Sequence, residues 1–225
     1  MHPEFIVGNT NTPFYQGKYL ADAQDLIVVT VNYRVNVFGF PGVPNAPDQQ
    51  NLGLRDQRIA VEWVRDNIAA FGGDPTKIVI AGQSAGSAAV DYWAYAYPDD
   101  PIVSGIMAHS GVAFSFPFNS ANVTESNWYN ISAQLGCGSS GDTLACMRRA
   151  NWTDIKFAAT KVKPIRIGTV VRNTPGFYPT IDNRTVFADY VQRSRDGRFA
   201  KVVRTQKALF IRCSLLTFTT AALAW

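Results

Sequence analysis

Between Lys77 and Val90 the chain passes from a short apolar run, Lys-Ile-Val-Ile-Ala, through Gly82-Gln-Ser-Ala-Gly, into Ser87-Ala-Ala-Val. A β-branched run of this length suits a strand buried on both faces, and the small residues after it suit a closely packed helix. Gly-x-Ser-x-Gly between such a strand and a helix is the pattern of a nucleophile elbow. Its chemistry dictates the residue types. The serine sits on a sharp bend in a strained backbone conformation, so that its hydroxyl stands above the sheet. Side chains two positions to either side would meet the neighbouring strand and helix, hence the glycines. The amide after the serine, that of Ala85, then points to where an oxyanion would form, a donor worth about 3–4 kcal/mol. The competing reading of the bare pattern is a tight glycine turn with an inert serine; the strand-to-helix setting is what gives Ser84 its weight.

The flanks predict an α/β alternation. Asp25 to Arg34 is a continuous β-branched run and reads as a strand buried on both faces. Gly39, Pro41, Gly42, Pro44 and Pro47 make residues 38–48 a loop. Asn51 to Phe71 reads as a helix burying Ile59, Ala60, Trp63, Val64, Ile68 and Phe71, with Arg58 and Glu62 paired on its outer side. Lys77 to Ala81 and Ser104 to His109 read as further strands, and 119–149 and 186–195 as helical. Strand, helix, strand, elbow, helix, strand implies a mostly parallel sheet flanked by helices. The tail, residues 203–225, changes character: its apolar stretch from Ala208 is interrupted by Arg212 and diluted by threonines, which argues against a membrane anchor.

Composition narrows the classes. Hydrophobic residues make up 47% of the chain and charged residues 17%, which is a core-building balance. The net charge of +4 is modest and its Lys and Arg are scattered, so no nucleic-acid partner is expected. No histidine pair and no Cys-x-x-Cys offers a metal site, and no phosphate loop is present, so no cofactor is expected. Cys137 and Cys146 flank a turn-rich loop that is either bridged or a pair of reduced thiols. Sequons at Asn122, Asn130, Asn151 and Asn183 favour an oxidising secretory route and hence the bridge. Met1-His-Pro-Glu-Phe has no apolar signal core, which sets a cytoplasmic chain against one whose true start lies upstream.

Taken in order, Val31-Asn-Tyr-Arg-Val with Phe38-Gly-Phe, Asn51-x-Gly-Leu-x-Asp-Gln, Trp63-Val-Arg-Asp-Asn-Ile with Phe71-Gly-Gly-Asp-Pro, and Gly82-Gln-Ser-Ala-Gly resemble the type B carboxylesterases. These are α/β-hydrolases that include cholinesterases and fungal lipases. Ser110-Gly111 and the Cys137–Cys146 loop with Arg148 are similar landmarks, and the resemblance spans residues 1–202, leaving 203–225 as a non-family apolar tail. It implies a small carboxylic ester as substrate, Ser84 as nucleophile, Ala85 N–H as an oxyanion donor, and a substrate-pocket wall at Phe114, Phe116 and Phe118. Gln83 stands where the family usually has Glu.

The resemblance also implies absences. The family's glycine-rich oxyanion segment should precede Phe5, where Met1 to Glu4 stand instead. Its strand should lie between 26–33 and 77–81, so a gap is expected at the centre of the sheet. The family acid is expected shortly after Gly197-Arg-Phe-Ala-Lys-Val and the histidine far beyond it, whereas the histidines here are His2 and His109. His109 follows Ser84, with Asp99 and Asp100 between them, but sequence order alone is a poor warrant for a triad. Asp182 resembles a structural aspartate, and Tyr92, Trp93, Tyr95 and Tyr97 read as core. The expectation is a partial α/β-hydrolase fold, N- and C-terminal parts missing, that does not complete a catalytic cycle. The alternatives are a non-catalytic, cholinesterase-like binding or adhesion protein and a non-functional truncated product.

Overall fold

The computed structural model describes residues 5–11, 13, 16–114, 118–163 and 175–207. From the amino end come helices α1 (Lys18–Gln24), α2 (Asn36–Gly39) and α3 (Leu52–Asn67), the last continued by a 3-10 turn at Ile68–Phe71. Strand β1 (Val79–Gln83), helix α4 (Ala85–Ala96) and strand β2 (Gly105–His109) follow. A helical excursion, α5 (Ala121–Gln134), α6 (Leu144–Met147) and α7 (Trp152–Thr160), leads to α8 (Tyr190–Arg195) and β3 (Val203–Lys207). The strands form one parallel sheet in the order β1-β2-β3, with Gln83 opposite His109 and Gly105 opposite Val203. Parallel neighbours require a crossover, and α4 supplies it between β1 and β2.

Period-2 alternation sends Ile80, Ile106 and Ala108 to one face of the sheet, where they meet Val90, Trp93 and Ala94 of α4 and Val61 of α3. The opposite flank of α4 packs Tyr92 and Tyr95 against Phe5 and Tyr190, so the elbow-helix aromatics are core as expected. A third cluster joins α2, α5, α6 and α7 through Val37, Trp128, Ile131 and Met147. Beside it Cys137 and Cys146 are bridged, with Cα atoms 5.6 Å apart. A loop this short contributes about 2.5–3 kcal/mol in the chain-entropy picture.

Five sequence expectations change. Residues 26–35 form no strand among the described residues, and no backbone hydrogen bond joins 27–33 to β1. A cleft of about 320 Å³ separates them instead, lined by Leu26, Ile27, Val28 and Val29 on one side and by Ile78, Val79 and Ile80 on the other. The run has a strand's composition without an adjacent strand to bond, and the cleft lies where the resemblance places one.

The buried face of α3 is also rotated. Leu54, Ala60, Val61 and Val64 are buried, while Ile59 and Phe71 are 62% and 65% exposed. Trp63 and Ile59 look across a groove of about 610 Å³ onto 29–34. Arg58 does pair with Glu62 at 2.7 Å, yet it is not on the outer side. It is largely buried, stacks over Tyr97 with 4.3 Å to the ring centroid, and also pairs with Asp100.

The last helix starts only at Tyr190 because Asp182 shapes the chain before it. Asp182 Oδ1 accepts from the amides of Arg184, Thr185 and Val186 at 3.0, 2.8 and 2.9 Å, which is the structural role anticipated. Finally, the tail contributes its first residues to the sheet as β3. Residues 208–225 lie outside the described residues. No helix of the described chain is long and apolar enough to cross a membrane.

Candidate active site

Ser84 is the single residue between β1 and α4, at φ 55 and ψ −118. A non-glycine residue there carries about 1–3 kcal/mol of strain, which persists only if its surroundings over-determine it. They do. The Ser84 N–H donates to the carbonyl of His109 at 2.9 Å, and the Ser84 carbonyl accepts from the Ala88 N–H at 3.0 Å. The first bond ties the elbow to the end of β2, and the second begins α4. Gly82 lets the bend close: a Cβ there would lie 2.1 Å from the carbonyl oxygen of Gly86. Ser84 stays half-buried and Ala85 is fully buried. As the first residue of α4, Ala85 has an N–H with no intrahelical acceptor, and among the described residues no other acceptor takes it.

The nominal triad is not assembled. His109 gives its carbonyl, not its ring, to the elbow. Both of its ring nitrogens are buried with no hydrogen-bond partner among the described residues. Because Ile106 and Ala108 face α4, alternation turns His109 to the other face of the sheet. Asp100 is held by Arg58 at the far end of α4. His2 lies outside the described residues. Burial pushes the Tyr33 and Tyr92 phenols well above their ordinary value, and both hydroxyls lack partners among the described residues, so these are neutral packing groups. No cluster of His, Cys, Asp or Glu among the described residues could hold a metal ion.

The three candidate pocket phenylalanines part company. Phe114 is 62% exposed on the loop after β2, and Phe116 lies outside the described residues. Phe118 packs against the core, its ring 6.4 Å from that of Tyr190. The sequon asparagines Asn122, Asn130, Asn151 and Asn183 are all exposed. Asn151 caps α7 by accepting from the Thr153 N–H at 2.9 Å.

Sequence reasoning missed two residues that hold the loop after β2. The Ser87 hydroxyl donates to the Gly111 carbonyl at 2.6 Å, and the Ala113 N–H donates to Asp91 Oδ2 at 2.8 Å. Asp91 is buried, and its other oxygen accepts from Arg204 on β3. One signal was available. An aspartate in the middle of an otherwise apolar helix is buried only when paired.

Comparison with known proteins follows the same residues. The sequence matches the carboxylesterase family over residues 1–204. It is 39% identical to a chlorogenic acid esterase of Aspergillus niger over 189 residues, covering 82% of this chain and 35% of that protein. It is 37% identical to secreted lipase 5 of Gibberella zeae, covering 84% of this chain and 36% of that protein. Cholinesterase 1 of Branchiostoma lanceolatum is 28% identical, over 88% of this chain and 57% of that protein. The chain thus spans about a third of the length of the first two relatives.

Proposed function

Because this chain belongs to the carboxylesterase family, we propose that it carries the nucleophile of a carboxylic ester hydrolase, with Ser84 in that role. The observation that supports this most is the Ser84 backbone, held at φ 55 and ψ −118 where a buried strand becomes a helix. In the proposed reaction Ser84 Oγ attacks the ester carbonyl carbon and its proton passes to a base. The Ala85 N–H steadies the resulting oxyanion. The bond to the alcohol oxygen breaks, the alcohol leaves with a proton, and water later cleaves the acyl-serine to free acid and serine.

Among the described residues no imidazole or carboxylate is hydrogen-bonded to Ser84, and with these residues alone the proton would pass to solvent. We therefore propose slow acylation, slower release, and completion of the site by an acid, a histidine and a glycine-rich segment outside residues 1–225. Mixing the chain with p-nitrophenyl acetate tests this. The expected result is slow release approaching one nitrophenolate per chain, with the acetyl group on Ser84 by mass spectrometry and absent in Ser84→Ala. No adduct, or an equal one in the variant, would leave the non-catalytic binding reading or an inert product.

The four exposed sequons, the disulfide and the name of the Gibberella relative support an extracellular glycoprotein. Expressed behind a secretory leader, the chain is expected to lose mass on treatment with peptide N-glycosidase. A mass unchanged by the enzyme, and differing from that of the Asn→Gln variant at all four positions only by the four added methylene groups, would sink this reading.

A further inference from the structure

We infer that Ser87 and Asp91 are positioning residues that fix the 110–114 loop beside Ser84 and so govern which esters reach it; this rests on the serine proposal above. The two side chains lie one and two turns along α4, the helix that Ser84 itself begins. They grip the loop at two points, Ser87 at the Gly111 carbonyl (2.6 Å) and Asp91 at the Ala113 N–H (2.8 Å). The loop leaves β2 directly after His109, the residue whose carbonyl holds the Ser84 N–H at 2.9 Å, and turns at Ser110 with φ 58. Elbow and loop therefore share one frame. A shift of the loop relative to α4 changes the space beside the Ser84 hydroxyl without moving the hydroxyl.

Asp91 could have served the helix alone; its surroundings indicate otherwise. It is buried at 3% exposure, and an unpaired carboxylate there would be costly. Arg204 reaches it from β3, lying over the rings of Tyr95 and Phe199 at 5.6 and 5.3 Å. With one oxygen held by that guanidinium, the other is oriented toward the Ala113 amide. Seating β3 beside β2 thus aligns the acceptor that holds the loop. Phe114, next to the held amide, is the exposed apolar side chain the loop offers to the non-polar part of an ester.

The test uses the intact chain, with Ser87→Ala, which removes only a hydroxyl, and Asp91→Asn, which keeps the shape. Acylation of Ser84 by p-nitrophenyl acetate and octanoate is followed by mass spectrometry, and exchange of the Ala113 amide by deuterium uptake. The expected result is faster exchange at Ala113 in both variants. The octanoyl-to-acetyl rate ratio should fall by about fivefold, the factor carried by a typical net hydrogen bond. A general loss of packing would lower both rates and leave their ratio alone. Unchanged exchange, or faster exchange with an unchanged ratio, overturns the inference while leaving Ser84 as nucleophile. A wild-type chain with no adduct on Ser84 overturns both.

Discussion

Replacing Gly82 with alanine is expected to cost about 3 kcal/mol or more and to remove acylation of Ser84 together with the fold of the elbow. A Cβ at this position would lie 2.1 Å from the Gly86 oxygen, 2.2 Å from its carbonyl carbon and 2.7 Å from the Ser87 nitrogen. All three are backbone atoms, so no rotamer change relieves the contact. The first turn of α4 would have to move away from β1. That movement breaks the Ser84-to-His109 and Ala88-to-Ser84 bonds that hold the serine at positive φ. Ser84 would relax to an ordinary conformation and its hydroxyl would leave the bend. Urea denaturation and the acetyl-adduct assay read the two consequences separately. A Gly82→Ala chain with the parent's midpoint and adduct would show that the bend is not built as described.

Asn51→Ala is expected to lower stability by about 4 kcal/mol without touching the Ser84 site. Asn51 is 1% exposed and adopts a left-handed conformation at φ 47, which asparagine tolerates better than alanine. Its amide donates to the Thr180 carbonyl at 2.7 Å and to the Thr185 hydroxyl at 3.0 Å, and its oxygen accepts from the Thr180 N–H at 2.9 Å. Alanine leaves the buried Thr180 N–H and carbonyl without partners and takes one of two bonds from the Thr185 hydroxyl, which still donates to Asp182 at 2.7 Å. Each lost bond costs about 1 kcal/mol or more, and the backbone penalty adds to them. The position joins the start of α3 to the chain before α8, a contact between segments 129 residues apart. Denaturant midpoints at unchanged slope would report the loss, and a shift below about 1 kcal/mol would contradict the network drawn here.

What could be read from the residues follows how local each signal is. The elbow was legible because its constraint is steric and confined to Gly82 through Gly86. β2 and the disulfide were legible for similar reasons. The run at 25–34 was read as a strand from its β-branched composition, yet a strand exists only when a neighbour completes its ladder, and that information is not in the run itself. α3 was misjudged by about one residue's rotation, since Ile59 and Trp63 are as apolar as Val61 and only the position of β1 and α4 decides which face is covered. β3 was passed over because Val203-Arg-Thr-Gln-Lys looks polar. Its Arg204 pairs with the buried Asp91, a contact that no local pattern announces. Of the candidate site, the elbow that carries Ser84 and the aspartate at 182 were visible in advance, while the hold of Ser87 and Asp91 on the following loop required the fold.

The space between residues 26–29 and β1 carries a consequence for the chain in solution. Its rims present amides and carbonyls with no backbone partner across them, and its walls are apolar. Any extended polypeptide that enters satisfies both rims at once, and the run at 25–34 of another copy has a suitable composition. Pairing of this run between copies is therefore expected to grow with concentration.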